Sequence, residues 1–343
     1  MRAMVLKQIT KMTENPAPLE LVDLPVPKPR DHEILVRVST CGVCHTEIDE
    51  IEGRMPPISL PAVLGHQVAG RVVLTGSKTS EHPIGQRVGI GWIFDSCGTC
   101  EHCRSGNQNL CQDFKATGRD VPGGYAEFIS APEESAFPIP DALSDAEAAP
   151  LLCAGAIGYR SLRLTGLRDG QALGLTGFGA SAHLVLKTVR YMYPNVRIYV
   201  FTRSPSEREF ALELGASWAG AIDDTPPEWL HSIVDTTPAW KPVVEALGCL
   251  APGGRLVINA IRKEDADLDY LLKISYPEHL WMEKEIKSVA NVSRRDVSEF
   301  LRIAAAVPIR PEIQEFDLLD ANLALLELKA GKIRGAKVLR IAH

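Results

Sequence analysis

The sequence lacks the features that would place it at a membrane or on nucleic acid. It has no uninterrupted apolar run long enough to span a bilayer. Its first residues, MRAMVLKQ, show no long apolar region of a secretion signal. Its 37 basic and 43 acidic side chains give a net charge of −6 without a block of one sign. We therefore expect a cytoplasmic protein whose partners are neither nucleic acids nor membranes.

Internal repeats and low-complexity segments are also absent, so ordinary globular domains are expected. The 343 residues suggest two domains at about 150 residues each. Before residue 150, short β-branched or alternating runs between Gly and Pro residues predict β-strands, such as ILVRVST and QVAGRVVLTG. After an Ala-rich, helix-like segment (SDAEAAPLLCAGAIGYRSL), strand-like and helix-like stretches alternate. This alternation predicts βαβ units and a parallel sheet, and hence an α/β protein.

Cysteine, in contrast, is abundant, with eight residues in the chain. In a reducing compartment, metal binding or catalysis explains such thiols better than disulfides do. Four of the eight cysteines follow the pattern Cys97-x2-Cys100-x2-Cys103-x7-Cys111. Four thiolates at this spacing can close one tetrahedral zinc site of the structural kind. An iron–sulfur cluster ranks lower because no cysteine–proline pattern follows. A zinc ribbon for nucleic acid disagrees with the acidic charge balance.

A glycine-rich turn follows one of the predicted strands of the second half. It holds Gly177, Phe178, Gly179, Ala180 and Ser181 and leads into a predicted helix. In this position a G-x-G-x-x-A pattern is typical of a dinucleotide site, because the glycines let the backbone approach the pyrophosphate at a helix N-terminus. An ordinary strand–helix turn is the alternative.

A further segment, STCGVCHTEIDEIEG, combines two cysteines with a histidine and a threonine. With GVCHTE inside it, LGHQVAG, the four-cysteine segment, LLCAG and GFGASA, the chain resembles the zinc-dependent alcohol dehydrogenases of the medium-chain dehydrogenase/reductase family along its whole length. The resemblance implies a GroES-like β-rich catalytic domain in residues 1–153 and 291–343. It also implies a Rossmann domain with a doubly wound parallel sheet in residues 154–290.

The resemblance implies that Cys44, His66 and Cys153 bind a catalytic zinc, in addition to the structural zinc of the four-cysteine segment. Three ligands leave a fourth position open for water or substrate. Without the resemblance, His66 would be taken as a hydrogen-bonded core histidine and Cys153 as a small buried helix residue.

The same resemblance implies roles for five further residues. Thr46 bonds the substrate oxygen and passes its proton outward, and Glu47 orients the ligand histidine. Asp49 ends the proton relay where many relatives have histidine. His45 faces the cofactor pyrophosphate, and Trp92 forms a wall of the substrate pocket.

Besides Asp49, two departures from the family pattern bear on the chemistry. Gln67 replaces a glutamate that lies behind the zinc, which we expect to leave the metal more electrophilic. Ala336 stands where relatives place a phosphate-binding arginine, so that Arg334 or Lys337 becomes the candidate substitute.

The cofactor is expected to be NADP(H) rather than NAD(H). NAD-binding sites of this kind carry Asp or Glu at the end of the second strand, about 20 residues after the glycine loop. Here that position is Thr202, followed by Arg203 and Ser204, with Arg208 one helical turn further on. An uncharged residue removes repulsion of a 2′-phosphate, and a guanidinium group can bind it. Arg203 as an ordinary solvated loop residue is the alternative.

The expected activity is reversible oxidation of a primary or secondary alcohol by hydride transfer to the cofactor. Polyol, threonine and formaldehyde dehydrogenases share this scaffold and are alternatives, whereas the two metal patterns exclude a zinc-free quinone reductase. A non-catalytic zinc- and nucleotide-binding protein is the alternative outside enzymes. Family relatives are dimers or tetramers, so a homo-oligomer is expected by analogy.

Overall fold

The computed structural model describes residues 1–307 and 309–341. Contacts divide the chain into a first unit, Met1–Ala156 with Val292–His343, and a second unit, Ile157–Asn291. The domain boundaries predicted from the sequence stay a prediction. Within the described ranges, no helix is both long enough and apolar enough to cross a membrane.

The described residues form eighteen strands and nine α-helices. The strands are β1 Arg2–Leu6, β2 Leu19–Asp23, β3 Glu33–Val43, β4 Ala62–Val63, β5 Val68–Thr75, β6 Arg87–Ile90, β7 Ile93–Asp95, β8 Lys115–Ala116, β9 Phe128–Pro132, β10 Ala136–Pro138, β11 Ala172–Thr176, β12 Arg197–Phe201, β13 Trp218–Gly220, β14 Leu230–Asp235, β15 Leu250–Ile258, β16 Glu285–Ser288, β17 Ile313–Asp317 and β18 Ala336–Arg340. The helices are α1 His45–Ile51, α2 Glu101–Arg104, α3 Asp145–Pro150, α4 Ala156–Thr165, α5 Ala180–Met192, α6 Pro205–Glu213, α7 Lys241–Gly248, α8 Arg294–Ala306 and α9 Ala321–Lys329.

The first unit is built around the long strand β3. This strand pairs antiparallel with β5, β9 and β18 in a seven-stranded sheet, and β1 pairs with β2 and β4 in a smaller sheet. The β3 residues Ile34, Val36 and Val38 are spaced two apart along the strand and lie in a shared apolar core. The alternation buries one face of the strand, as expected of an antiparallel sheet.

The second unit contains a six-stranded parallel sheet in the order β13-β12-β11-β14-β15-β16. Apolar cores lie on both faces, one including Leu175 and Val185, the other Ile233 and Leu247. Burial on both faces explains the nearly continuous apolar strands. The strand order reverses between β11 and β14, as in a doubly wound sheet. The predicted α/β class, with a β-rich unit and a Rossmann-like unit, is confirmed.

The Ala-rich segment near residue 150 is helical, as predicted, but it contains a π-turn. α3 ends at Pro150, a five-residue π-turn covers Leu151–Gly155, and α4 follows at Ala156. Proline has no N–H to donate, so the regular hydrogen-bond ladder is broken at this point. The π-turn carries Cys153.

Candidate active site

Three metal-ligating side chains converge in the first unit, and we call them the three-ligand set: Cys44, His66 and Cys153. Their ligand atoms all lie within 4.8 Å of one another. His66 Nε2 is 3.1 Å from Cys153 Sγ. Bond lengths of about 2.3 Å to sulfur and about 2.0 Å to nitrogen would separate such atoms by roughly 3.5 Å on one tetrahedral zinc ion. The donor set therefore fits zinc with small adjustments.

The fold brings these three ligands together from distant parts of the chain. Cys44 is the N-cap of α1, directly after β3. His66 lies between β4 and β5 and is fully buried, and Cys153 is held by the π-turn. Each of the three ligands has residues of the buried core as neighbours in the chain.

Glu47 connects the start of α1 with the ligand histidine. One carboxylate oxygen accepts the Cys44 backbone N–H at 2.7 Å, which caps the helix. The other oxygen lies 2.7 Å from His66 Nδ1. A proton held on Nδ1 by this carboxylate leaves the Nε2 lone pair free for a metal ion. The geometry thus suits the orienting role predicted for Glu47, which remains a prediction.

The two cysteines of the three-ligand set influence each other's protonation. A hydrogen bond with Cys153 lowers the pKa of Cys44 well below its ordinary value, although burial opposes this. The same hydrogen bond, together with burial, raises the pKa of Cys153 well above its ordinary value. The thiolate form of Cys44 is thus favoured even without a metal ion, and thiolate is the form that binds zinc.

The other side chains predicted for catalysis lie on or near α1. Thr46 is buried, with its Oγ1 3.6 Å from Cys44 Sγ, whereas His45 is exposed. Trp92 is buried and packs edge-on against the His66 ring, with ring centroids 5.0 Å apart. These positions bring a hydroxyl group and an aromatic wall to the ligands.

The Asp49 carboxylate is buried and held by another side chain, whereas a terminal proton acceptor should have its carboxylate free. Its carboxylate accepts the Arg54 Nε–H at 2.6 Å, and only 7% of the residue is exposed. Burial raises the pKa of Asp49, while Arg54 opposes this shift. The relay role of Asp49 remains a prediction, and the ion pair works against it.

Glu50 is a buried acid that the sequence reasoning did not single out. It lies one helical turn after Glu47 on α1 and is fully buried. Within the described part of the chain, neither carboxylate oxygen has a hydrogen-bond partner. Burial and the nearby charge of Glu47 raise the pKa of Glu50 well above its ordinary value. The i, i+3 spacing of the two acids was the signal available in the sequence.

The four cysteines of the predicted structural site also converge, and we call them the four-cysteine set: Cys97, Cys100, Cys103 and Cys111. Their sulfur atoms lie within 4.8 Å of one another. The backbone N–H groups of Cys100 and Cys103 donate to the sulfur atoms of Cys97 and Cys100, respectively, at 3.4 Å. The bond from the Cys100 N–H, followed by bonds from Thr99, lowers the pKa of Cys97 to about 6. The arrangement fits one tetrahedral zinc ion.

The glycine turn of the second unit lies at the carboxyl end of β11. Gly177 has φ +78°, a conformation that side chains rarely adopt. Gly179 is the N-cap of α5, and a Cβ atom placed on it would meet no atom within 4 Å. The protein's own packing therefore leaves the space beside Gly179 open to a ligand at the helix N-terminus.

The residues predicted to bind the cofactor's ribose lie at and after the end of β12. Some of them already form hydrogen bonds within the protein. Thr202 Oγ1 donates to the carboxylate of Glu207, and Ser204 caps α6. Arg208 donates to the backbone carbonyl oxygens of Thr202 and Arg203, at 2.8 and 3.3 Å. Arg203 is exposed. Sequence reasoning missed Glu207, which brings a negative charge to the position expected to be uncharged.

Lys337 cannot replace the missing phosphate-binding arginine, and this expectation is wrong. The residue is fully buried in the first unit. Its ammonium group donates to Gln314 at 2.9 Å and to Glu327 at 2.7 Å. A buried lysine with two partners is held as an internal ion pair.

Comparisons with known proteins agree with this geometry. Residues 30–141 match the family described as "Alcohol dehydrogenase GroES-like domain". A probable alcohol dehydrogenase AdhA of Mycobacterium tuberculosis is 41% identical over 94% of this chain and 93% of its own length. An alcohol dehydrogenase of Geobacillus stearothermophilus is 31% identical over 94% and 96%. A crystal structure described as an NAD-dependent alcohol dehydrogenase has the same fold, with a TM-score of 0.88, 24% identity and full coverage of both chains.

Proposed function

Because the chain belongs to the zinc-dependent alcohol dehydrogenases of the medium-chain dehydrogenase/reductase family, we propose that it interconverts an alcohol with its aldehyde or ketone. The substrate is a primary or secondary alcohol, and a nicotinamide cofactor exchanges the hydride. The convergence of Cys44, His66 and Cys153 with the Glu47 carboxylate behind the histidine is the observation that carries the proposal.

Each residue of the three-ligand set has a chemical task in this reaction. Bound zinc would acidify the alcohol, as it lowers the pKa of bound water to about 7. Cys44, Cys153 and His66 Nε2 would hold the ion, and Glu47 would keep the proton of His66 on Nδ1. Two thiolates and a neutral imidazole would balance the charge of a zinc ion, and three protein ligands would leave room for the alcohol.

Thr46 is the group that takes the alcohol proton. Its Oγ1 lies 3.6 Å from Cys44 Sγ, so the hydroxyl would be within reach of an alcohol that binds beside the three-ligand set. A threonine hydroxyl both accepts and donates, and it can therefore pass a proton on without holding a charge. Trp92 excludes water on the His66 side.

The four-cysteine set would hold a second zinc ion, apart from the three-ligand set. The preferred cofactor is NADP(H). Support for NADP(H) comes from the uncharged Thr202 and the exposed Arg203 beside it. A guanidinium group that is free of internal partners can bind a 2′-phosphate through two hydrogen bonds. The protein acts in the cytoplasm on small molecules.

NAD(H) is the second candidate, and Glu207 favours it. Its carboxylate accepts the hydroxyl hydrogen of Thr202, so that an acid stands where NAD-binding sites place one. A carboxylate there would bind ribose hydroxyls and repel a phosphate group.

A homo-oligomer is supported by the edge of the parallel sheet. All four residues of β16 are exposed, and within the described residues this strand pairs on one side only, with β15. Ile286 within this strand, and Trp281 and Met282 shortly before it, expose about half of their surface. An edge strand with unpaired N–H and C=O groups can pair with the edge of another chain. Light scattering of the purified protein, with Ile286→Lys as the disrupting variant, tests this.

The activity is tested by following nicotinamide absorbance with simple aldehydes, with polyols, threonine and formaldehyde as competing substrates. Turnover that stops on treatment with a zinc chelator and returns with zinc is the expected result. A protein that binds zinc and the dinucleotide but turns over none of these substrates would contradict the proposal and favour a non-catalytic binding protein.

The cofactor is tested by comparing kcat/KM for NADPH and NADH on one aldehyde. We expect NADPH to be preferred, and Thr202→Asp with Arg203→Ile to reverse the preference. Arg168→Ile, an exposed arginine that precedes β11 at the opposite end of the parallel strands, is the matched control. Equal values, or a preference for NADH in the unaltered protein, would favour the second candidate.

A further inference from the structure

Lys263 joins two loops at the carboxyl edge of the parallel sheet. It follows β15, and its Nζ reaches back to the loop after β14. There it donates to a carboxylate oxygen of Asp235 at 2.5 Å and to the carbonyl oxygens of Thr237 and Ala239 at 2.8 Å each. An ammonium group has three N–H donors, so these acceptors use all of them. Lys263 is therefore an internal cation and is not left for a phosphate.

Asp235 links Lys263 to β11, the strand that leads into the glycine turn. Its second carboxylate oxygen accepts the hydroxyl hydrogens of Thr176, at 2.6 Å, and Thr237, at 2.8 Å. Asp235 ends β14 and Thr176 ends β11, the two strands between which the strand order reverses. Dinucleotides bind outside the carboxyl ends of the strands at such a reversal. The network thus lies beneath the expected cofactor site.

The loop after β14 also supports the glycine turn by direct contact. The hydroxyl of Thr236 donates to the carbonyl oxygen of Thr176 at 2.9 Å. A Cβ atom on Gly177 would meet Thr236 Oγ1 at 2.9 Å and Thr237 Cγ2 at 3.0 Å. The turn and the loop are therefore packed against each other, and a shift in the loop must move the turn.

We propose that Lys263, Asp235, Thr237 and Thr176, here named the lysine clamp, fix the glycine turn and the two loops in the arrangement that receives the dinucleotide. Lys263 is then a positioning residue for cofactor binding. The inference rests on the proposed function only in assuming a dinucleotide ligand. Without the ammonium group, Asp235 would be a buried unpaired carboxylate, and two carbonyl groups would lose their donor. The loops would have to rearrange, and the cofactor would have to order them on binding.

The test is the dissociation constant of NADPH and NADH, measured directly by nicotinamide fluorescence in the full-length protein. For Lys263→Met we expect the Kd of both to rise by about tenfold or more, since ordering of the loops is added to binding. The KM for the cofactor should rise more than kcat falls. Lys241→Met is the matched control: this lysine of the same unit forms an exposed pair with Asp223, and its loss should leave Kd unchanged.

Lys263→Met can fail to fold because it leaves Asp235 unpaired, and the double variant Lys263→Met/Asp235→Asn removes both charges. This double variant should fold and should bind both cofactors about as weakly as expected for the single variant. A folded variant that melts earlier but binds with unchanged Kd would overturn the inference, because the lysine would then serve stability alone. Failure of the unaltered protein to bind either dinucleotide is a different result and would overturn the proposed function as well.

Discussion

The two groups of metal-binding residues in the first unit differ in what surrounds them. The four-cysteine set comes from fifteen consecutive residues and has thiols and backbone N–H groups as neighbours. The three-ligand set is assembled from distant parts of the chain and has an acid, a hydroxyl group and an indole within contact. The first arrangement can only hold a metal ion. The second can also act on what the metal binds, because acid–base groups are already placed beside it.

Removing one ligand from each set should therefore have unequal effects on turnover. Cys153→Ala is expected to have the largest, about 10³-fold or more, equivalent to several kcal/mol of lost stabilisation from the metal. Its zinc content should fall by one ion per chain while circular dichroism stays unchanged. Cys249→Ala, a cysteine outside both sets, is the control. An active Cys153→Ala enzyme would contradict the assignment.

A substitution of Thr46 tests proton transfer separately from metal binding, because it leaves both metal sites complete. Thr46→Val removes the hydroxyl that takes the proton, and we expect kcat to fall by about 10² to 10⁴-fold, the usual contribution of a positioned proton-transfer group. Thr46→Ser should retain most activity. Steady-state kinetics with zinc content measured in parallel decides this, and a fully active valine variant would remove Thr46 from the mechanism.

The role of Glu47 is expected to be smaller and to appear first in zinc affinity. Glu47→Gln should weaken zinc binding at the three-ligand set by about 10 to 100-fold, because an amide holds the ligand histidine less well than a carboxylate. Competition with a chromogenic chelator measures this. Glu50→Gln is the matched control on the next turn of α1, since the Glu50 carboxylate has no hydrogen-bond partner among the described residues. Equal loss in both variants would mean that general charge near the site matters, and not the bond to His66.

The smallest effect on turnover is expected from the four-cysteine set. Cys103→Ala should lower the melting temperature and open residues 97–111 to proteolysis, while kcat at low temperature stays close to that of the unaltered protein. Limited proteolysis with zinc analysis tests this. Loss of turnover equal to that of Cys153→Ala, in protein that remains folded, would break the proposed division of roles.

Much of this organisation could be predicted from local sequence patterns. The strand–helix alternation gave the parallel sheet, the glycine turn lies where its neighbours predicted, and the four-cysteine spacing closes as expected. These features depend on residues that are close together in the chain, so short-range periodicity and spacing are enough to recognise them.

The remaining features depend on contacts that no local pattern contains. α1 is only seven residues long and follows a strand directly, and it is capped by a side chain that also bonds His66. Lys263 comes from an irregular loop, and Glu207 reaches Thr202 only once α6 has formed. Lys337 lies in an ordinary strand pattern, which does not indicate that its partners will bury it. Long side chains reach several ångströms from the backbone, so tertiary packing determines which groups their ends contact.

The order of the ligands along the chain has a consequence for how the protein acquires its metal during synthesis. A ribosome adds about 5 to 20 residues per second, and the N-terminal part emerges first. The four-cysteine set is complete once Cys111 has emerged, whereas the three-ligand set must wait for Cys153. β3, which leads into Cys44, also lacks its neighbour β18 until Ala336–Arg340 has been made. When zinc is scarce in the cell, we therefore expect newly made chains to carry metal at the four-cysteine set first and to remain inactive until the second ion arrives.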